Sequence, residues 1–166
     1  YVGVRFGVAV SSWSGGLHLV CMAAGVKKGD VVITTPLSFV ASAIAAVYVG
    51  AEPAFADIDL ETGNMDPVKL EEQLKFYAGR VKAIIPVHFG GLPVDTREIK
   101  KKEKKYGAVV LEDAAHALGA WDSEETRIGA CENSLMSGFS FHPVKGIACG
   151  EGGMITTNDE AIYRRL

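Results

Sequence analysis

Lys145 ends the run Ser137-Gly138-Phe139-Ser140-Phe141-His142-Pro143-Val144-Lys145. Pro143 fixes its own φ and biases His142 toward extended backbone, so the lysine sits on a constrained loop. Gly150, Gly152 and Gly153 then allow a tight turn before the apolar run Met154 to Thr157. A lysine held this way can act as a Schiff-base nucleophile; the plainer reading is a solvated loop lysine. A second group, Glu112-Asp113-Ala114-Ala115-His116, follows the apolar run Ala108 to Leu111. Buried carboxylates are costly unless paired, so two acids here are poor core filler, and the small residues 114 and 115 leave room for an approaching group. Asp113 and His116 are possible metal ligands, but no other ligand cluster supports a metal site. Asp113 can instead face a protonated ring nitrogen, a charge-assisted hydrogen bond of about 1.5–3 kcal/mol. A third stretch, Ser11 to Gly16, leads into a helical pattern. Its backbone amides and the Ser14 hydroxyl can cradle a phosphate, or serve only as a helix cap. Phe39, in Thr35-Pro36-Leu37-Ser38-Phe39, can stack on a flat ring or fill the core.

The elements that position these residues are legible as a pattern. Short apolar or β-branched runs at Gly7–Val10, Val31–Thr34, Ala54–Ala56, Val81–Ile85, Ala108–Leu111 and Met154–Thr157 read as strands, the first of them buried, with a weaker one over Asn133–Gly138. Helical patterns cover Leu17–Ala24, Val40–Val49, the segment from Asn64–Pro67 to about Tyr77, and Asp95–Tyr106. A short helix starts near Asn158 or Asp159. Alternating strands and helices, with several strands apolar throughout, predict a three-layer α/β fold: a mainly parallel sheet with helices on both faces. In open α/β sheets ligands bind outside the carboxyl ends of the strands, where Ser11–Gly16, Phe39, Asp113 and Lys145 all fall. Trp121 to Asn133 is polar and irregular and reads as a surface excursion.

Bulk properties narrow the function classes. The chain has 166 residues, 48% hydrophobic and 22% charged, enough for one domain with a real core. A net charge of −3 disfavours a nucleic-acid partner. The cluster Lys100 to Lys105 reads as a solvated helix face rather than an anion site. Cys21, Cys131 and Cys149 are scattered, which suggests reduced thiols and a cytoplasmic compartment. The apolar stretch Val40–Val49 is too short for a membrane span. Neither G-x-G-x-x-G nor G-x-x-x-x-G-K-[ST] occurs, so a nicotinamide-dependent enzyme fits the architecture but lacks its fingerprint.

A phosphate cradle, a stacking aromatic, a carboxylate for a pyridinium nitrogen and a lysine in one crevice are the equipment for pyridoxal 5′-phosphate. The motifs Thr35 to Ser42, Asp57-Ile58-Asp59, Gly63-Asn64, Glu112 to Ala120 and Phe139 to Lys145 together resemble the DegT/DnrJ/EryC1/StrS family of sugar-nucleotide aminotransferases, of the aspartate-aminotransferase-like fold type I. The runs Thr35 to Phe39, Ser140 to Lys145 and Gly150-Glu151-Gly152-Gly153 look most like the branch that makes UDP-4-amino-4,6-dideoxy-N-acetyl-β-L-altrosamine, a pseudaminic acid precursor.

The resemblance implies that Lys145 forms the Schiff base and moves the proton, and that Asp113 holds the pyridine nitrogen protonated. It further implies that Phe39 stacks on the ring, that Ser140, Ser14 and the Gly15 amide hold the phosphate, and that His116 lines the cofactor. The implied donor is L-glutamate, the acceptor a nucleotide-linked keto sugar, and the assembly a homodimer with shared active sites. Some dehydratases of this fold carry histidine in place of the lysine; Lys145 argues against that chemistry. The family usually has Gly-Thr where this chain has Trp13-Ser14, so Trp13 is expected to crowd the cradle. Residues 1–166 are expected to form an incomplete cofactor-binding large domain without its C-terminal small domain, marginally folded by itself. A truncated, non-catalytic homologue is the alternative.

Overall fold

A computed structural model describes residues 1–166. The strands are β1 (Phe6–Val10), β2 (Val31–Thr34), β3 (Glu52–Phe55), β4 (Val81–Ile84), β5 (Val109–Asp113), β6 (Met136–Ser140) and β7 (Gly153–Thr157). The helices are α1 (Trp13–Ala23), α2 (Ala41–Tyr48), α3 (Pro67–Phe76), α4 (Thr96–Tyr106) and the short α5 (Glu160–Tyr163). One seven-stranded sheet runs in the order β1-β7-β6-β5-β4-β2-β3. The pairs β2/β3, β2/β4, β4/β5 and β5/β6 are parallel; β7 is antiparallel to both β6 and β1. The sheet is therefore mixed, with a parallel centre.

Side-chain alternation explains why the central strands are apolar throughout. Val31, Ile33, Ile84 and Val110 pack toward Leu70, Leu74 and Ile99 of α3 and α4. Their neighbours Val32, Ala83 and Leu111 pack toward Leu17, Val20, Cys21, Ala45 and Ala46 of α1 and α2. Both faces are covered, so neither alternating position can be polar without a partner. No helix is long and apolar enough to cross a membrane.

Local chemistry sets the helix ends. Ser12 caps α1, its Oγ accepting the Gly15 N–H at 3.2 Å. Asp66 caps α3, with Pro67 in the first turn where its missing N–H costs nothing. Asp95 opens α4, and Gly107, at φ 74°, closes it in the left-handed conformation that glycine adopts without strain. The α4 lysines pair with glutamates: Lys102 and Lys105 both reach Glu71, and Lys100 reaches Glu103. That run is a solvated, ion-paired face.

The structure differs from the sequence-based expectation in four places. β1 is an edge strand in which Phe6, Val8 and Val10 are half-buried and Gly7 and Ala9 exposed, not a buried strand. α1 starts at Trp13 rather than Leu17, because Ser12 caps it and Trp13 is buried. The strand read over Asn133–Gly138 is Met136–Ser140, drawn C-terminally by pairing with β5 and β7. Residues 121–133 do lack regular structure, yet Ile128, Ala130 and Cys131 are buried and Arg127 stacks on Trp121 and Tyr1 at 4.1 and 4.5 Å.

Candidate active site

The carboxyl ends of β4, β5 and β6 open at one edge of the sheet, and β1, parallel to β6 through β7, opens there too. A cleft of about 500 Å³ lies at that edge. Ser14, Phe39, Asp113, His116, Ser140 and Lys145 all line it. Four segments distant in sequence thus bring together every side chain singled out above.

Lys145 closes a turn, its N–H donating to the His142 carbonyl at 2.9 Å, with Pro143 at the position where a fixed φ favours such a turn. Its ammonium Nζ lies 2.6 Å from His116 Nε2. An ammonium can only donate, so Nε2 accepts and the neutral ring carries its proton on Nδ1. Partial desolvation of the ring, then the Lys145 charge, hold His116 below the ordinary imidazole range; Asp113 acts weakly the other way.

Asp113 forms the cleft floor and is only 4% exposed. Its Oδ1 accepts the Trp13 indole N–H at 2.7 Å and the Ala115 N–H at 3.2 Å. Its Oδ2 accepts the Ser42 hydroxyl at 2.7 Å, and Ser42 in turn meets Ser38 at 2.9 Å. The backbone is pinned as well: Asp113 N–H donates to Pro86 O, and His88 N–H donates to Asp113 O. A carboxylate this enclosed is tolerable because its oxygens are satisfied.

Ser12, Ser14 and Ser140 also line the cleft. Gly15 does not line it, and its amide is engaged by Ser12 Oγ at 3.2 Å. Phe39 stands at the rim, 72% exposed, a large apolar ring with no cover of its own.

Trp13 overturns the crowding expectation. Its ring points down against the sheet, buried to 5% exposure, and lies over Gly138 rather than over the serines. Sequence reasoning also missed Ser42 and the pair His88–Glu112. His88 is fully buried; its Nδ1 accepts the Val94 N–H at 3.1 Å, so Nε2 carries the proton and donates to Glu112 Oε2 at 3.0 Å. That pair ties the loop bearing Val87 and Phe89, both on the cleft, to β5. The acidic Glu112 at the end of an apolar run signalled that a partner was needed, but not that His88 would supply it.

The donor set fits a phosphorylated pyridine aldehyde: an amine for the aldehyde, a buried carboxylate for the ring nitrogen, hydroxyls for the phosphate and an uncovered aromatic at the rim. With the sheet order, this matches the fold type I architecture of the pyridoxal-phosphate-dependent transferases. The chain belongs to the DegT/DnrJ/EryC1/StrS aminotransferase family, which it matches over residues 1–166. It is 44% identical over all 166 residues to the spore coat polysaccharide biosynthesis protein SpsC of Bacillus subtilis, covering 41% of that protein. Helicobacter pylori PseC, an aminotransferase involved in the biosynthesis of pseudaminic acid, superposes with a TM-score of 0.88 at 34% identity, over 99% of this chain and 43% of that one. NtdA from B. subtilis, solved with bound cofactor PMP, superposes with a TM-score of 0.89 at 30% identity, over 99% of this chain and 36% of that one. The chain thus spans about two fifths of the length of these relatives.

Proposed function

We propose that residues 1–166 are the cofactor-binding large domain of a pyridoxal-phosphate-dependent sugar aminotransferase. The observation that carries this reading is one cleft holding the Lys145 amine, the buried Asp113 carboxylate and the Ser12, Ser14 and Ser140 hydroxyls. Bound pyridoxal phosphate supplies an electron sink next to the reacting carbon. Asp113, held by its donors on both oxygens, receives the ring nitrogen. The serine hydroxyls bind the phosphate, and Phe39 covers the ring. Lys145 would be the amine that holds the cofactor's aldehyde carbon and the base at hand to move a proton there. His116 Nε2, neutral and 2.6 Å from Nζ, is the acceptor within reach when the lysine must shed a proton.

The finer assignment rests on the PseC and SpsC likeness and on the motifs Thr35–Phe39 and Ser140–Lys145. L-glutamate is the amino donor, and a UDP-4-keto-6-deoxy-N-acetylhexosamine the acceptor, in the branch leading to the altrosamine product. The working protein is a cytoplasmic homodimer with shared active sites.

The test is an absorbance spectrum of the protein as its gene encodes it, mixed with pyridoxal phosphate before and after borohydride, beside Lys145→Ala. A visible band in the parent that borohydride bleaches while fixing the cofactor covalently to Lys145, both absent from the variant, is the expected result. The same band in both proteins, or none in either, overturns the assignment. Glutamate-dependent bleaching of that band then tests the donor.

A further inference from the structure

Resting on that reading, we propose that Trp13 is a positioning residue for Asp113: its indole N–H orients the carboxylate so that Oδ2 is the oxygen that receives a pyridinium N–H. The geometry is specific. A carboxylate oxygen has two lone-pair sites. Oδ1 already accepts from Trp13 Nε1 at 2.7 Å and from the Ala115 N–H at 3.2 Å, so both its sites are taken. Oδ2 accepts only from Ser42 Oγ, at 2.7 Å, which leaves one site free, and the carboxylate lines the cleft. Donors on both oxygens also fix the plane of the carboxylate, which no single donor does.

The fold has emptied a slot for this indole. A Cβ at Gly138 would lie 1.8 Å from Trp13 Cζ3 and 1.9 Å from Cη2, and one at Gly16 would lie 2.6 Å from Cε3. Two glycines from separate elements therefore bound the ring, one on β6 beside Asp113 and one in the first turn of α1. If the ring were only filler, its single polar atom could as well face a backbone carbonyl. It faces the one carboxylate that the cofactor would use, across 100 residues of sequence.

The experiment compares pyridoxal phosphate binding by the parent protein, Trp13→Phe, Ser42→Ala and the double variant. Phenylalanine keeps an aromatic ring in the slot and removes the N–H; benzothienylalanine at position 13, with the indole shape and a sulfur for the N–H, serves if Trp13→Phe does not fold. The expected result is a cofactor dissociation constant raised about tenfold in Trp13→Phe, the equivalent of about 1.4 kcal/mol, in a protein whose melting temperature falls but which stays folded at the assay temperature. In the double variant the two losses should be non-additive, because both donors act on one carboxylate. The sequence has two tryptophans, so the parent's indole emission is expected to fall on binding through Trp13, whereas Trp13→Phe keeps only the response of Trp121. Unchanged affinity in Trp13→Phe with a Lys145-dependent band intact, or losses that simply add, overturns the role of Trp13 alone. A parent that binds no pyridoxal phosphate overturns this proposal together with the function on which it rests.

Discussion

Adding a methyl group at Gly138 should be among the most damaging single-atom changes in this protein. A Cβ built there lies 1.8 and 1.9 Å from two carbons of the Trp13 ring. Non-bonded carbons rest about 3.5–4.0 Å apart, so the ring must retreat by about 2 Å. Trp13 is buried, and Gly16 also closes on its Cε3 and Cζ3 atoms, so that retreat is not free. Overpacking of this kind costs about 1–3 kcal/mol. The same retreat stretches the 2.7 Å bond from Nε1 to Asp113. A hydrogen bond to a charged group contributes about 1.5–3 kcal/mol. Together Gly138→Ala should destabilise by about 2.5–6 kcal/mol, a large part of the 5–15 kcal/mol typical of a folded domain. The assay is urea unfolding of the protein as its gene encodes it, in parent and Trp13→Ala backgrounds. With the ring removed, Gly138→Ala should cost less than about 1 kcal/mol, because the added methyl then enters vacated space. A cost within about 0.5 kcal/mol of zero in the parent background, or the same cost in both backgrounds, would refute the packing argument.

Two further outcomes follow from histidines, one buried and one exposed at the cleft. His88→Leu leaves the Glu112 carboxylate buried without its donor and should cost about 3–5 kcal/mol, more than the double change His88→Leu/Glu112→Leu; equal costs in denaturant unfolding would show that the pair is not coupled. His116 is held below its ordinary range, so between its folded value and the unfolded value near 6.5 the unfolded chain binds the proton more readily. Stability should therefore fall as pH drops through that window, and His116→Gln should flatten the slope; a slope unchanged in the variant counts against the argument.

Much of this was legible because its causes are local. Val31–Thr34 and Ala108–Leu111 announce themselves as doubly covered strands, since a residue facing either helix layer must be apolar. Asp66, Asp95 and Asp159 cap helices through bonds to residues two or three positions on. Asp113 and His116 stood out because a carboxylate and a histidine at the end of an apolar run need a purpose, and Lys145 because Pro143 constrains its loop. The direction of β7 did not, since an apolar run carries no sign of whether its partner is parallel. The β1 edge was misread for a related reason: Phe6 to Val10 is apolar enough for the interior, and only the sheet order shows that one neighbour is missing.

The harder failures share one cause. Ser42, His88 and Glu112 are ordinary residues until the fold brings a distant partner to each, and the partner's identity depends on strand order, not on sequence neighbours. Trp13 shows this most sharply. Beside Ser12 and Ser14, a bulky ring reads as an obstruction to an anion. That inference fixes the ring above the sheet and assumes the space below it is filled. The space below is vacant because residue 138 has no side chain, and the only anion within reach of the indole N–H is Asp113. A substitution that seems to close the cleft instead adds a donor to its floor. The volume at position 13 therefore has to be judged together with position 138 on β6, and a chain with a large side chain at both positions could not keep this cleft.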